Sequence, residues 1–295
     1  MAAAQSRVTD MTRGDPVRLL LKFSAPLFLS NLLQQFYNLA DTALAGHILG
    51  DAALAEIGAT AALYGLIMNF AFGMNNGLAL TVSRAFGAGD EKGVRRATAW
   101  MLTLAGITAL VLTVVFVGVR RPLLVLLDTP AEILEDAYSY IIVIDLGVIV
   151  MFLYNLCAGL LRAIGNSVMP LVFLLISSVL NVGLDLWFIA GAGMGVRGAA
   201  VATVIAQGIS VVLCILYVLA RVRILIPEKK HLAVGSHLYW ELFSQSISMG
   251  LMSSIVSAGS VVLQYGINGL GTLVIAGHTA ARKLFAFTDM PLTAM

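Results

Sequence analysis

The chain has 295 residues, of which 59% are hydrophobic and only 12% are charged, and its formal net charge is +2. A soluble domain carries roughly 25% charged residues. The composition therefore excludes a soluble globular protein and predicts an all-α polytopic membrane protein. Cys157 and Cys214 both fall in apolar segments, which predicts packing residues rather than a disulfide framework.

Residues 1–22 are polar and basic, a composition that predicts no cleavable signal peptide. A series of apolar segments follows them. A spanning helix needs about 20 residues, so seven segments cross a bilayer and an eighth is cut off where the chain stops. The segments cover about 23–48, 54–82, 97–119, 136–160, 168–190, 199–220, 243–268 and 273–295.

The positions of the basic residues predict the orientation in the membrane. When the segment ends are assigned alternately to the two sides, one side receives most of the lysines and arginines, including those of 1–22 and 221–242. The other side receives only Arg120, Arg121 and Arg197. This asymmetry predicts a cytoplasmic N-terminus.

A polar stretch divides the chain into two groups of helices. Residues 23–220 are predicted to form an N-lobe of six transmembrane helices, 221–242 a cytoplasmic inter-lobe linker, and 243–295 an incomplete C-lobe with helix 7 and part of helix 8. A faint internal repeat, in which Gly50 pairs with Gly271, supports this division, since repeated halves are common in transporters. The second half has only begun when the chain stops, which predicts a fragment of a longer protein.

Two acids are predicted at a similar depth in the membrane. Asp41 lies about 28 Å of helical rise beyond Lys22, and Asp185 lies about 22 Å beyond Pro170, so both fall in the outer half of the bilayer. A charge inside the bilayer costs on the order of 3 kcal/mol on insertion scales. Since no Lys or Arg accompanies these acids at that depth, they need a cation or a proton.

Two further polar side chains are predicted at the same height. Asn181 shares a helix face with Asp185, and Thr203 lies about 7 Å inside the outer end of the sixth segment. Oxygen ligands suit a hard cation, and two close carboxylates can share a proton. The alternative, that each group bonds to a neighbouring helix or reaches the headgroups, stays open for each residue taken singly.

Several blocks of sequence, in their order, resemble the multidrug and toxic compound extrusion (MATE) family. The first helix with Asp41 is similar to the first helix of that family. The other blocks are VSRAFGAGDEKGVRRA at 82–97, LYNLCAGLLRAIGNSVMPL at 153–171, SSVLNVGLDLWFI at 177–189, GVRGAAVATVIAQ at 195–207 and VVLQYGINGLGTLVIAGHTAARK at 261–283. The resemblance implies a twelve-helix antiporter of MOP-superfamily architecture, in which two six-helix bundles form a V-shaped cavity.

The resemblance also implies roles for individual residues. Some members have an ion site in the N-lobe, and the matching positions here are the four residues selected by depth: Asp41, Asn181, Asp185 and Thr203. Positions of the surrounding polar network are matched by Tyr37, Tyr140 and Asn155.

Other positions bear on helix bending and on the substrate cavity. Pro26 matches a proline at which the first helix of some members bends; alternatively, it marks the start of that helix. Asp145 and Gln264 are candidates for the cavity, although Asp145 could instead pair with a distant arginine. The segment 243–268 holds no acid, which argues against a C-lobe cation site of the kind seen in some members.

These inferences predict an ion-coupled antiporter, driven by Na⁺ or H⁺, that exports drugs or other organic, often cationic, compounds across the inner (plasma) membrane. We expect no enzymatic activity, no cofactor, no metal other than Na⁺ and no nucleic-acid partner. The expected partners are the lipid bilayer and a small organic substrate, and the full-length protein is expected to be a monomer. The alternatives are a lipid-linked precursor flippase of a related fold, a seven-helix receptor or channel, and a fragment that does not transport.

Overall fold

The computed structural model describes residues 14–126, 131–228 and 236–268, together with His278, Ala281, Phe285 and Thr288. These residues form helices and include no strand, which confirms the all-α prediction. The predicted eighth segment lies almost wholly outside them. The α-helices are α1 (Pro16–Leu49), α2 (Asp51–Gly87), α3 (Glu91–Leu126), α4 (Ala131–Ala163), α5 (Val168–Asp185), α6 (Val196–Arg221) and α7 (Ser236–Asn268).

Both ends of the first helix carry residue types that are typical of helix ends. Asp15 caps α1 by accepting a hydrogen bond from the Val17 N–H at 3.1 Å, and Pro16 occupies the first helical position. The helix ends at Gly50, whose φ of +83° is readily adopted only by glycine, and α2 begins at the next residue. The predicted start at residue 23 was too late because polar turns precede the apolar part of the helix.

Short turns connect the helices that follow. In the segment FGAGD, Gly89 has a φ of +71° and Asp90 accepts a hydrogen bond from the Gly93 N–H at 2.9 Å. This segment is therefore the helix-ending turn between α2 and α3. Asn166 in the turn between α4 and α5 accepts from the Met169 N–H at 3.1 Å and donates to the Tyr217 hydroxyl at 3.2 Å.

We call the end of the bundle at which α1 begins the inner end, and the opposite end the outer end. The main apolar core lies toward the inner end, where Met74, Met101 and Phe152 of α2, α3 and α4 are fully buried. Large apolar side chains elsewhere on the same helices, such as Leu110 and Val114, are exposed. Because α3 to α6 are long and apolar enough to cross a membrane, these exposed faces contact lipid in a multi-pass membrane protein.

The seventh helix packs directly along α2 through small residues. A Cβ atom at Gly77 would approach the Gln245 carbonyl oxygen and the Ser246 Cα to 2.7 Å, and one at Gly73 would collide with the Met249 carbonyl oxygen. Glycines at this spacing let two helices approach closely in a membrane. The two glycines therefore form a seam on which α7 rests.

The linker predicted at 221–242 overlaps the beginning of α7. Helix α7 begins at Ser236, because polar residues such as Glu241 are part of the helix rather than of the connection. Glu241 pairs with Arg84 of α2 at 3.7 Å, and Gln245 accepts from the Thr81 hydroxyl at 3.2 Å. Residues 229–235, in the middle of the linker, lie outside the described residues.

Candidate functional site

A buried polar cluster joins α5 and α6 in the outer half of the bundle. Asn181 and Asp185 are completely buried, and Thr203 is 8% exposed. The Asn181 amide nitrogen donates to Asp185 Oδ2 at 2.9 Å, and its oxygen accepts from the backbone N–H and the hydroxyl of Thr203, each at 3.2 Å. One amide therefore holds the carboxyl and the hydroxyl in fixed positions.

The first helix completes this cluster from the other side. Tyr37 donates from its hydroxyl to Thr203 Oγ1 at 3.2 Å. One helical turn later, the Asp41 carboxyl lies against that of Asp185, close enough for a direct side-chain interaction. The structure thus brings together all four residues that the sequence placed at one depth, with Tyr37 beside them. We call these five residues the outer site.

The two carboxyl groups retain unused acceptor capacity. The Oδ1 atoms of Asp41 and Asp185 are both buried, and neither has a hydrogen-bond partner among the described residues. A buried polar atom without a partner costs free energy, more so when it is charged. Two adjacent acids in this state can either share protons or provide oxygen ligands for a small hard cation.

The backbone changes its winding immediately beyond Asp185. Helix α5 ends at Asp185 and continues as a π-helical turn, Leu186–Gly191. π-Helical turns are rare in proteins as a whole, and those that occur are often found at functional sites. They expose backbone groups and redirect side chains. No residue pattern in 186–191 predicts this turn.

Two further predicted site residues, Tyr140 and Asn155, belong to α4. Tyr140 packs against the apolar cluster of Ile144, Met151 and Ala200. Asn155 donates to the Met151 carbonyl oxygen of its own helix at 2.8 Å, so its described bond does not join the outer site.

The proposed roles of Asp145 and Gln264 in the substrate cavity stay predictions. Asp145 is completely buried in α4. The side chain of Gln264 lies outside the described residues.

Pro26 lies inside α1, ten residues after the helix begins at Pro16, so the interpretation of Pro26 as the start of the helix is wrong. A proline inside a helix removes one backbone hydrogen bond. The Ser30 hydroxyl donates to the Pro26 carbonyl oxygen at 2.8 Å, a bond that often accompanies bent helices. Bending at Pro26 remains a prediction.

The sequence analysis missed a second polar feature, at the inner end. A pocket of about 370 Å³ lies between α1, α2, α4 and α7, and Arg162 lines it together with Asn31, Asn76 and Ser83. Asn76, a polar residue in a largely apolar helix, was the signal in the sequence that could have indicated this pocket. We call this cavity the inner pocket.

Comparisons with known proteins place the chain among transport proteins. A family profile described as MatE matches residues 26–187. The "Probable multidrug resistance protein YpnP" of Bacillus subtilis is 29% identical over 97% of this chain and 64% of that protein. The "Probable multidrug resistance protein NorM" of Thermotoga maritima is 30% identical over 64% of this chain and 41% of that protein.

The fold agrees with that of solved structures. A crystal structure of MATE in the bent conformation matches with a TM-score of 0.85 and 26% identity, over 96% of this chain and 64% of that one. The chain thus spans less than two thirds of the length of the proteins it matches. Since the family profile covers more than half of its residues, the chain belongs to the MatE (multidrug and toxic compound extrusion) family.

Proposed function

We propose that the protein to which this chain belongs is an antiporter that exports drugs or other organic, often cationic, compounds in exchange for Na⁺ or H⁺. The observation that carries the proposal is the outer site, where a fully buried acid, Asp185, and a partly buried acid, Asp41, face each other. Each has a buried Oδ1 atom with no hydrogen-bond partner among the described residues. The names of the relatives YpnP and NorM, both multidrug resistance proteins, support export as the direction of transport.

The proposed coupling follows from the charge of the outer site. A cation or proton entering between Asp41 and Asp185 neutralises the pair and relieves the cost of burying two charges. Tyr37 and Asp41 lie on one face of α1, so the neutralised site lets α1 bend or shift. This movement lowers the affinity for substrate, and linkage requires that bound substrate in turn weakens ion binding.

The proposed location is the inner (plasma) membrane with a cytoplasmic N-terminus. The support is the excess of basic residues at the inner end, where Arg84, Arg162 and Arg221 all lie in the last turns of their helices. A flippase for a lipid-linked diphosphate receives less support, because such a substrate needs several cations. Among the described residues, Arg162 alone brings a positive charge into the inner pocket.

The test uses the full-length protein in proteoliposomes, with Na⁺ and pH gradients imposed separately. We expect Asp41→Asn to abolish gradient-driven efflux of a cationic dye while membrane insertion is retained. Glu91→Gln, which removes an exposed acid at the start of α3, should leave efflux unchanged. Undiminished efflux by Asp41→Asn would refute the proposal, and the gradient that drives the parent protein identifies the coupling ion.

A further inference from the structure

The inner pocket contains a cation, Arg162, for which the described residues supply no counter-ion. Arg162 lies in the last turn of α4, and its guanidinium has no hydrogen-bond or salt-bridge partner among the described residues. Arg84, in the last turn of α2, differs in this respect because it pairs with Glu241 at 3.7 Å. The carbonyl end of α4 stabilises a positive charge on Arg162 but does not neutralise it.

The walls of the pocket combine polar and apolar surfaces. Asn76 and Ser83 are about two helical turns apart, so they lie on one face of α2 and present an amide and a hydroxyl to the pocket. Phe23 and Leu27 of α1 supply an apolar wall opposite. The volume of about 370 Å³ falls at the lower end of the range typical of small-molecule sites.

We propose that the inner pocket binds an amphiphilic anion. The acid group, a carboxylate, sulfonate or phosphate, would pair with Arg162, whose planar guanidinium can donate two parallel hydrogen bonds to such a group. The apolar body of the ligand would contact Phe23 and Leu27. The site differs from the outer site in position and charge, and it does not depend on ion-coupled transport.

Binding is measured on the purified chain in a neutral detergent, with 2-naphthoate as the anionic probe and 2-naphthylmethylammonium as its cationic counterpart. We expect naphthoate to bind at least tenfold more tightly than the ammonium compound. Arg162→Gln should weaken naphthoate binding about tenfold, and Arg162→Lys should give an affinity between those of the parent and Arg162→Gln, because it keeps the charge but loses the paired hydrogen bonds. The matched control is Arg221→Gln, which removes an exposed arginine from the last turn of α6 and should change nothing.

A second measurement distinguishes a membrane lipid from a soluble ligand. Native mass spectrometry compares the retention of phosphatidylglycerol and phosphatidylcholine of equal chain length by the parent chain and by Arg162→Gln. Arg162-dependent retention of phosphatidylglycerol identifies an anionic lipid headgroup as the ligand chemistry. Arg162-dependent binding of naphthoate alone identifies a soluble amphiphile.

The proposal is overturned if Arg162→Gln and the parent bind naphthoate equally and retain the anionic lipid equally. Equal weakening by Arg162→Gln and Arg221→Gln would also overturn it, since that result reports only the overall charge. If Arg162→Gln does not stay monodisperse, Ala163→Phe provides the test, because it fills the pocket and keeps the arginine. Unchanged naphthoate and lipid binding by that variant would contradict the proposal.

Discussion

The outer site and the inner pocket share one helix but differ in charge and in the state of their polar groups. Helix α1 contributes Tyr37 and Asp41 to the outer site, and Phe23 and Asn31 to the inner pocket, with about 15 Å of helical rise between Asn31 and Asp41. At the outer site, hydrogen bonds link three helices around two acids. At the inner pocket, one partly buried arginine lines the cavity without an ion pair among the described residues. The two proposals together assign α1 to two ligands of opposite charge.

The largest effect should come from removing the amide that organises the outer site. Asn181→Leu leaves Asp185 and Thr203 without their shared partner, which should cost about 3 kcal/mol, or roughly a hundredfold in apparent affinity for the coupling ion. The measurement is the ion dependence of efflux by the full-length protein. Ser178→Ala is the control, since Ser178 bonds only to the Leu174 carbonyl of its own helix. Equal losses in both variants would show that the cluster has no special role.

The second effect concerns the glycine seam, which fixes α7 as a wall of the inner pocket. Gly77→Ala forces a Cβ atom against the Gln245 carbonyl oxygen and should destabilise the chain by about 1–3 kcal/mol. The apparent thermal midpoint in detergent measures this loss. Gly106→Ala is the matched control, because nothing lies within 4 Å of that position, and it should stabilise α3 slightly. A Gly77→Ala midpoint at or above that of the parent would contradict the close packing.

A smaller effect is expected when the Tyr37 hydroxyl is removed. Tyr37→Phe deletes the hydrogen bond to Thr203 but keeps the ring, which should cost about 1 kcal/mol and weaken the apparent affinity for the coupling ion about fivefold. The ion dependence of efflux is again the measurement. Tyr239→Phe serves as a control, because it preserves the edge-to-face contact with Trp100 at the other end of the molecule. An ion affinity equal to that of the parent would exclude Tyr37 from the site.

The smallest effect is expected when the outer site is altered and binding at the inner pocket is measured, because we predict no coupling between the two. Asp41→Asn should change naphthoate binding by less than about twofold, and the double variant with Arg162→Gln should be additive within about 0.5 kcal/mol. A larger interaction energy would show that α1 transmits changes between the two ends. Naphthoate would then have to alter ion binding by the same factor.

The outer site was predictable from the sequence because depth in a membrane helix follows from residue count. Counting from Lys22 and Pro170 placed Asp41 and Asp185 at one height, and the structure brings their side chains into contact. The bonds from Asn181 and Tyr37 to Thr203 required only that α1, α5 and α6 be neighbours.

The inner pocket could not be predicted in the same way. Its shape depends on how far α1 separates from α2 and α4, and crossing angles are not encoded in the hydropathy pattern. The π-helical turn after Asp185 and the close approach of α7 to α2 depend equally on packing. The polar beginnings of α1 and α7 were missed for another reason: hydropathy marks the lipid-facing part of a helix rather than its ends.

The connection at Gly50 restricts how α1 can move. Because one residue joins Leu49 to Asp51, the outer ends of α1 and α2 cannot separate along their axes by more than a few ångströms without unwinding. Sliding α1 past α2 by one helical turn would require about 5.4 Å of extra chain at that point. Any rearrangement of α1 in the intact chain is therefore a bend, a rotation or a tilt in which its outer end stays beside that of α2.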